Sequence, residues 1–168
     1  KALELCYDDW CTAQVARMMG DTARAAKYER WARLYTNYFD ASTGFMRGKM
    51  ADGSWRTPFS PAHSTHRQDD YCEGNAYQWS WFVPHDADGL IALYGGRDAF
   101  VRKLDALFSA SSQLEGEEVS ADISGLIGQY AHGNEPSHHI IYYYNAVGMP
   151  WRTQELVDSV LHTLYANA

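Results

Sequence analysis

Apolar side chains recur at spacings of three and four along most of the chain, and that period, more than any other feature, confines it to helices. Residues 2–19 carry the stripe Leu3, Cys6, Trp10 and Ala13 of an amphipathic helix. Gly20 is a natural stop and Asp21 a natural N-cap for the next helix. That helix has Ala25, Tyr28, Ala32, Tyr35 and Phe39 on one face and Trp31, Leu34 and Tyr38 on a neighbouring one. A helix apolar over so much of its surface is expected to be buried on two sides.

Residues 40–72 break the period. They hold Gly44, Gly48, Gly53, Pro58 and Pro61 with several Ser and Thr, and a loop of that length is usually functional when ordered. Helical signal returns near Glu73 and runs to Pro84. Asp86 then caps a helix that ends at Gly95–Gly96, and Phe100, Val101, Leu104, Leu107 and Phe108 mark the next. An acidic loop with Glu115, Glu117 and Glu118 reads as a solvated surface. A short helix is expected over 122–130. Pro136 opens another at its first turn, where proline is tolerated, and Gly148 stops it. Leu156, Val157, Val160, Leu161 and Leu164 mark the last helix. The expectation is an all-α chain of about six helices in three αα-hairpins, with extended candidates only inside the long loop. Successive hairpins with long loops suggest a toroid or superhelix, of which three would make half of a six-hairpin barrel; a simple bundle has the same periodicity.

With 168 residues, 46% of them apolar and 21% charged, the chain can bury one core and is neither disordered nor fibrous. No apolar run reaches the roughly 18 residues of a membrane span. A net charge of −7 with 14 scattered Lys and Arg argues against a nucleic-acid partner. Lys1 opens the chain without a signal-peptide pattern and Ala168 closes it as a helix ends; both ends are expected to be cuts in a longer protein, so the compartment stays unread. Cys6, Cys11 and Cys72 have no disulfide or zinc spacing and are expected as buried free thiols. The six Trp, twelve Tyr and six Phe are expected mostly in the core, with some rings lining a sugar cleft.

Three clusters can carry chemistry. In Asp69-Asp70-Tyr71-Cys72-Glu73-Gly74-Asn75, three carboxylates precede the aromatic run Tyr77, Trp79 and Trp81, and desolvation there would suit a carboxylic acid to proton donation. The bland alternative is a set of acids favouring a helix N-terminus. Pro84-His85-Asp86-Ala87-Asp88-Gly89 reads by itself as a capped helix start. The densest is His132-Gly133-Asn134-Glu135-Pro136-Ser137-His138-His139. Adjacent His138 and His139 point apart on a helix, which disfavours a zinc site built with His132. Oxygens from Asn134, Glu135 and nearby carbonyls suit a hard cation, and imidazoles suit sugar hydroxyls.

The segments Tyr7-Asp8-Asp9-Trp10-Cys11, Gly44-Phe45-Met46-Arg47-Gly48, Glu73-Gly74-Asn75-Ala76, Trp81-Phe82-Val83-Pro84-His85-Asp86 and 132–139 resemble, in order, glycoside hydrolase family 92. The resemblance implies a calcium-dependent exo-α-mannosidase of α-1,2 type that inverts configuration and takes mannose-containing glycans. It implies that residues 1–168 are part of an (α/α)6 catalytic barrel, with an N-terminal β-sandwich and the barrel's C-terminal end absent. Glu73 is then the general acid, Asn134 and Glu135 the calcium candidates, and Arg47, Asp86, His132, His138 and His139 the sugar contacts. The paired aspartates that activate water would follow Ala168. A whole protein of this kind would be secreted or periplasmic. A truncated barrel would leave faces such as Tyr28, Trp31 and Tyr35 bare and prone to self-association. The alternative is a catalytically inactive helical piece that binds carbohydrate.

Overall fold

The computed structural model describes residues 1–66 and 68–165, so the expected end at Ala168 lies outside the described residues. The chain is rich in helix. Helices α1 (Ala2–Met18) and α2 (Thr22–Ala32) form the first hairpin, turned by Gly20 and capped by the Asp21 carboxylate, which accepts from the Arg24 N–H at 2.9 Å. A 3-10 turn, Leu34–Tyr38, delivers the chain to a short antiparallel ribbon of β1 (Phe39–Asp40) and β2 (Phe45–Met46). Then come α3 (Ala76–Trp79), α4 (Ala87–Leu93) and α5 (Arg97–Ser109), the last two joined through Gly95–Gly96 as a second hairpin. A second ribbon pairs β3 (Leu126–Ile127) with β4 (Tyr130–Ala131). Two 3-10 turns, Glu135–Ser137 and Ile140–Tyr142, precede α6 (Tyr143–Ala146), which turns at Gly148 into α7 (Pro150–Leu164), the third helical pair.

The core sits where the three pairs meet. Trp81 is fully buried, stacked on Tyr94 at 5.3 Å and meeting Phe100 edge-on at 5.4 Å. Leu90, Leu104, Leu107, Ile140 and Tyr144 close around it. A buried aromatic of that size contributes a few kcal/mol, roughly 25 cal/mol for each Å² of apolar surface it hides.

Five expectations change. Residues 122–130 form no helix: Gly125 and Gly128 take φ of 59°, and Gly128-Gln129 makes the two-residue bend between β3 and β4. A Cβ at position 128 would meet the Leu107 and Phe108 carbonyls, so glycine is required there on two counts. The helix from Glu73 to Pro84 shrinks to the single turn of α3, because Asn75 caps it and the chain turns at Ser80. The stretch from Pro136 to Gly148 breaks into short turns. The second helix ends at Ala32, with Tyr35 buried but Trp31 and Leu34 exposed, so among the described residues it is covered on one side only. Of the three thiols Cys6 is buried, Cys11 half-buried and Cys72 exposed.

Candidate active site

Asp69, Asp70 and Glu73 fall into two groups. The Asp69 carboxylate accepts from the Thr65 N–H at 2.6 Å and the Tyr71 N–H at 2.9 Å, and Asp70 pairs with Arg56 at 2.8 Å. Both are spent on shaping the long loop, and Tyr71 adds a hydroxyl donated to the Met46 carbonyl at 2.7 Å. No hydrogen bond to the Glu73 carboxylate occurs among the described residues. Glu73 is also the one non-glycine residue among them with positive φ, 51°. That left-handed conformation costs about 1–2 kcal/mol for an L residue and persists only where the surroundings impose it.

The surroundings are specific. Trp79 donates its indole N–H to the Cys72 carbonyl at 2.7 Å, and its ring lies so close to Gly74 that a Cβ there would come within 2.7 Å of the indole nitrogen. Asn134 donates its amide to the Glu73 carbonyl at 2.8 Å, joining positions 61 apart in sequence. Glu73 borders a 520 Å³ cavity shared with Lys1, His66 and Asp69–Cys72. Glu73 also borders a narrow cleft walled by Gln78, Trp79, Phe82, Asn134 and Pro136.

In the 132–139 loop, His132 lies 2.9 Å from the Tyr130 hydroxyl through Nδ1 and 2.9 Å from the Tyr165 hydroxyl through Nε2. The His138 ring stacks on it at 4.9 Å and donates to the His132 carbonyl. His139 turns away, donating to the Trp81 carbonyl at 2.7 Å against the edges of Phe82 and Tyr143. Burial pushes the His139 imidazolium pKa down, and burial followed by the neighbouring His138 does the same to His132. The three rings do not converge, and no cluster of three His, Cys, Asp or Glu placed to hold a metal exists among the described residues. The zinc arrangement is therefore not assembled. Asn134 is buried and Glu135 exposed beside it. As neighbouring oxygen donors they fit a hard cation in kind, but they are only part of the six to eight oxygens calcium takes.

The model of the glycosyl hydrolase family 92 catalytic domain matches residues 1–168. The chain belongs to glycoside hydrolase family 92. A family 92 α-mannosidase from Bacteroides thetaiotaomicron, solved with mannoimidazole, superposes with a TM-score of 0.88 at 37% identity over 99% of this chain and 22% of its own. A family 92 inverting mannosidase from the same bacterium gives 0.80 at 34% identity over 98% of this chain and 23% of its own. An uncharacterized secreted glycosidase of Arthroderma benhamiae is 26% identical over 139 residues, 71% of this chain and 18% of its own. The chain thus spans about a fifth of the length of these relatives.

Elsewhere in this family 92 chain the expected site residues are scattered. Arg47 is 9% exposed: one guanidinium nitrogen meets Asp40 at 2.7 Å, another the Arg56 carbonyl at 2.8 Å, and the group lies 4.2 Å over the Phe59 ring. Asp86 caps α4 by accepting from the Gly89 N–H at 2.9 Å and accepts the Tyr35 hydroxyl at 2.7 Å. It borders a separate cleft with Trp10, Arg17, Glu29 and His85. Glu73 and the 132–139 loop are joined directly; Asp86 is not part of that junction. Sequence reading missed Gln129, buried at the bend of the second ribbon. Its signal was Gly-Gln set between Leu-Ile and Tyr-Ala, a two-residue hairpin pattern.

Proposed function

We propose that this chain carries the acid side of the active site of an exo-α-mannosidase acting with inversion on mannose-containing glycans. The observation that carries the reading is the Glu73 carboxyl, free of partners among the described residues and set on an imposed left-handed turn that Asn134 holds. Family membership and the likeness to two mannosidases, one called inverting, support it.

In the proposed reaction Glu73 gives its proton to the glycosidic oxygen as the bond from that oxygen to the anomeric carbon breaks. A carboxylate from outside these residues takes a proton from water as the water oxygen bonds the opposite face, with the two carboxyl groups about 6.5–9.5 Å apart. Mannose and an alcohol leave, and a proton returns to Glu73. His132 and His138 are assigned to sugar hydroxyls, whereas His139, expected there too, is engaged by the Trp81 carbonyl and is left to hold the loop. Asn134 and Glu135 are assigned part of a calcium shell; bound there, calcium would orient sugar hydroxyls and favour ring distortion. The helical pairs are read as part of an (α/α)6 barrel, the linkage as α-1,2, and the whole protein as secreted or periplasmic.

The test is Glu73→Gln beside Asn134→Ala in the whole enzyme. Glu73→Gln is expected to lower turnover of an unactivated mannoside about 10²–10⁴-fold, the range of general acid catalysis, with calcium affinity unchanged by calorimetry. Asn134→Ala is expected to weaken calcium binding itself. Near-normal turnover by Glu73→Gln on a poor leaving group removes Glu73 from the acid role. The second reading is that residues 1–168 alone are a helical piece that binds carbohydrate without cleaving it, since the proposed mechanism takes its opposing carboxylate from outside them.

A further inference from the structure

We infer that the buried amides of Asn75, Gln78 and Gln129 form the device that aims the Glu73 carboxyl, with Gln129 as its anchor; this rests on the acid role assigned to Glu73. The three side chains are nearly sealed from solvent, at 0%, 6% and 1% exposure. Asn75 accepts from the Tyr77 N–H at 3.0 Å and the Gln78 N–H at 3.4 Å, and donates its amide to the Gln129 side-chain oxygen at 3.0 Å. Gln78 accepts from the Asn75 N–H and donates to the Gln129 backbone carbonyl, both at 2.7 Å. Gln129 in turn donates to the Ser111 carbonyl at 2.6 Å and the Gln113 carbonyl at 3.1 Å, while its own N–H reaches the Leu107 carbonyl at 2.8 Å.

The consequence for Glu73 follows from its place. Only Gly74, the most pliable of residues, separates it from Asn75. The left-handed turn at Glu73 is uphill by itself, so it holds only if both flanks are pinned. Upstream the pin is the Trp79 indole on the Cys72 carbonyl; downstream it is Asn75, and Asn75 is tied to the rest of the molecule through Gln129. Satisfied amide networks in a low-dielectric interior are stiff, and losing one member leaves several buried groups unpaired. Gln129 also sits at the head of β4, which runs into the 132–139 loop, so a single side chain sets the acid and the Asn134 loop in register. Asn75, Gln78 and Gln129 are positioning residues; none of them borders the 520 Å³ cavity, and only Gln78 reaches the narrow cleft beside Glu73.

The experiment uses the whole family 92 enzyme with Gln129→Met, which keeps bulk and loses the amide, and Asn75→Ser, which keeps a capping oxygen and loses the donor to Gln129. Two substrates are compared: methyl α-mannoside, whose leaving oxygen needs a proton, and 2,4-dinitrophenyl α-mannoside, whose leaving group does not. Both variants are expected to lose about 10–100-fold in kcat on the methyl glycoside, the scale of a misplaced catalytic group, and to stay within about threefold on the dinitrophenyl glycoside. The calcium titration midpoint is expected to stay unchanged. Equal losses on both substrates, or none on either, overturn the inference. Should Gln129→Met not fold, Asn75→Ser decides alone. Glu73→Gln runs alongside: if it shows no split between the substrates, the acid assignment fails; if it does and Asn75→Ser does not, only the positioning inference fails.

Discussion

Replacing Asp40 by alanine strands the Arg47 guanidinium in the protein interior. The pair meets at 2.7 Å with side chains only 5% and 9% exposed, and the Arg47 Nε already lacks a partner there. Removing one member of a buried ion pair costs about 3–5 kcal/mol, because the survivor keeps its desolvation and loses its attraction. Here the Arg56 carbonyl and the Phe59 ring still serve the guanidinium, and contacts of these kinds retain about 1 kcal/mol each. The expected loss for Asp40→Ala is therefore about 2 kcal/mol. Arg47→Met should cost less, since Ser42 continues to donate to the Asp40 carboxylate from its N–H at 2.9 Å and its hydroxyl at 2.6 Å. The double variant, with no charge left to bury, should return to within about 1 kcal/mol of the parent. The assay is a double-mutant cycle by urea unfolding, followed by KM on a mannoside for the double variant. An unchanged KM means that Arg47 acts through the loop. A KM raised more than about tenfold with stability restored would put the guanidinium on the sugar and refute the reasoning from its partners.

The same carboxylate gives a pH signature. Burial pushes the Asp40 pKa up, but hydrogen bonds from Ser42, Arg47 and Thr43 outweigh it and hold the group at about 2, against 3.8 when unfolded. A depressed folded pKa stabilises above the unfolded value, so the stability gap between the parent and Asp40→Ala should be full above about pH 4 and close as pH falls towards about 2. Separately, residues 1–168 produced alone are expected to turn over an α-mannoside with calcium at less than about a tenth of the whole enzyme's rate, since the proposed mechanism takes its opposing carboxylate and most of its calcium oxygens from outside them. Turnover within that factor would place the entire chemistry in this chain.

What the sequence made legible is whatever depends on neighbours three or four residues away. The α1–α2 hairpin, with Gly20 and Asp21 between its arms, and the Asp86 cap of α4 follow from local rules and stand as read. The same rules misled at 122–130, where Ile123, Leu126 and Ile127 imitate a helical stripe. Gly125 and Gly128 outvote that stripe, because their positive φ is incompatible with a helix, while hydrogen bonds from Gln129 to Leu107 and from His132 to Gly125 fix the ribbon. Between Pro136 and Gly148 the run Ile140-Ile141-Tyr142-Tyr143-Tyr144 is apolar on almost every side, so no face was preferred. Packing then chose short turns that send Ile140 and Tyr144 inward and leave Tyr142 exposed.

The site divides along the same line. Composition marked Asp69, Asp70 and Glu73 as a cluster that could carry an acid or merely favour a helix N-terminus, and the resemblance singled out Glu73. Why the other two are unsuited is a matter of bonds to Thr65, Tyr71 and Arg56, none of which a periodicity records. Arg47 shows the converse. It was placed on the sugar, yet its partner Asp40 lies seven residues back across a β-ribbon too short to show in any period. The Glu73 turn is the extreme case, since a glutamate has no local reason to adopt positive φ. It does so here because Asn134, 61 positions on, holds its carbonyl, and because Gln129, 54 positions beyond Asn75, holds the residue that follows Gly74. A carboxyl meant to donate one proton in one direction gains from having its backbone fixed by distant parts of the fold. Local sequence alone would let that turn relax, and relaxation by even an ångström takes the proton out of line with the leaving oxygen.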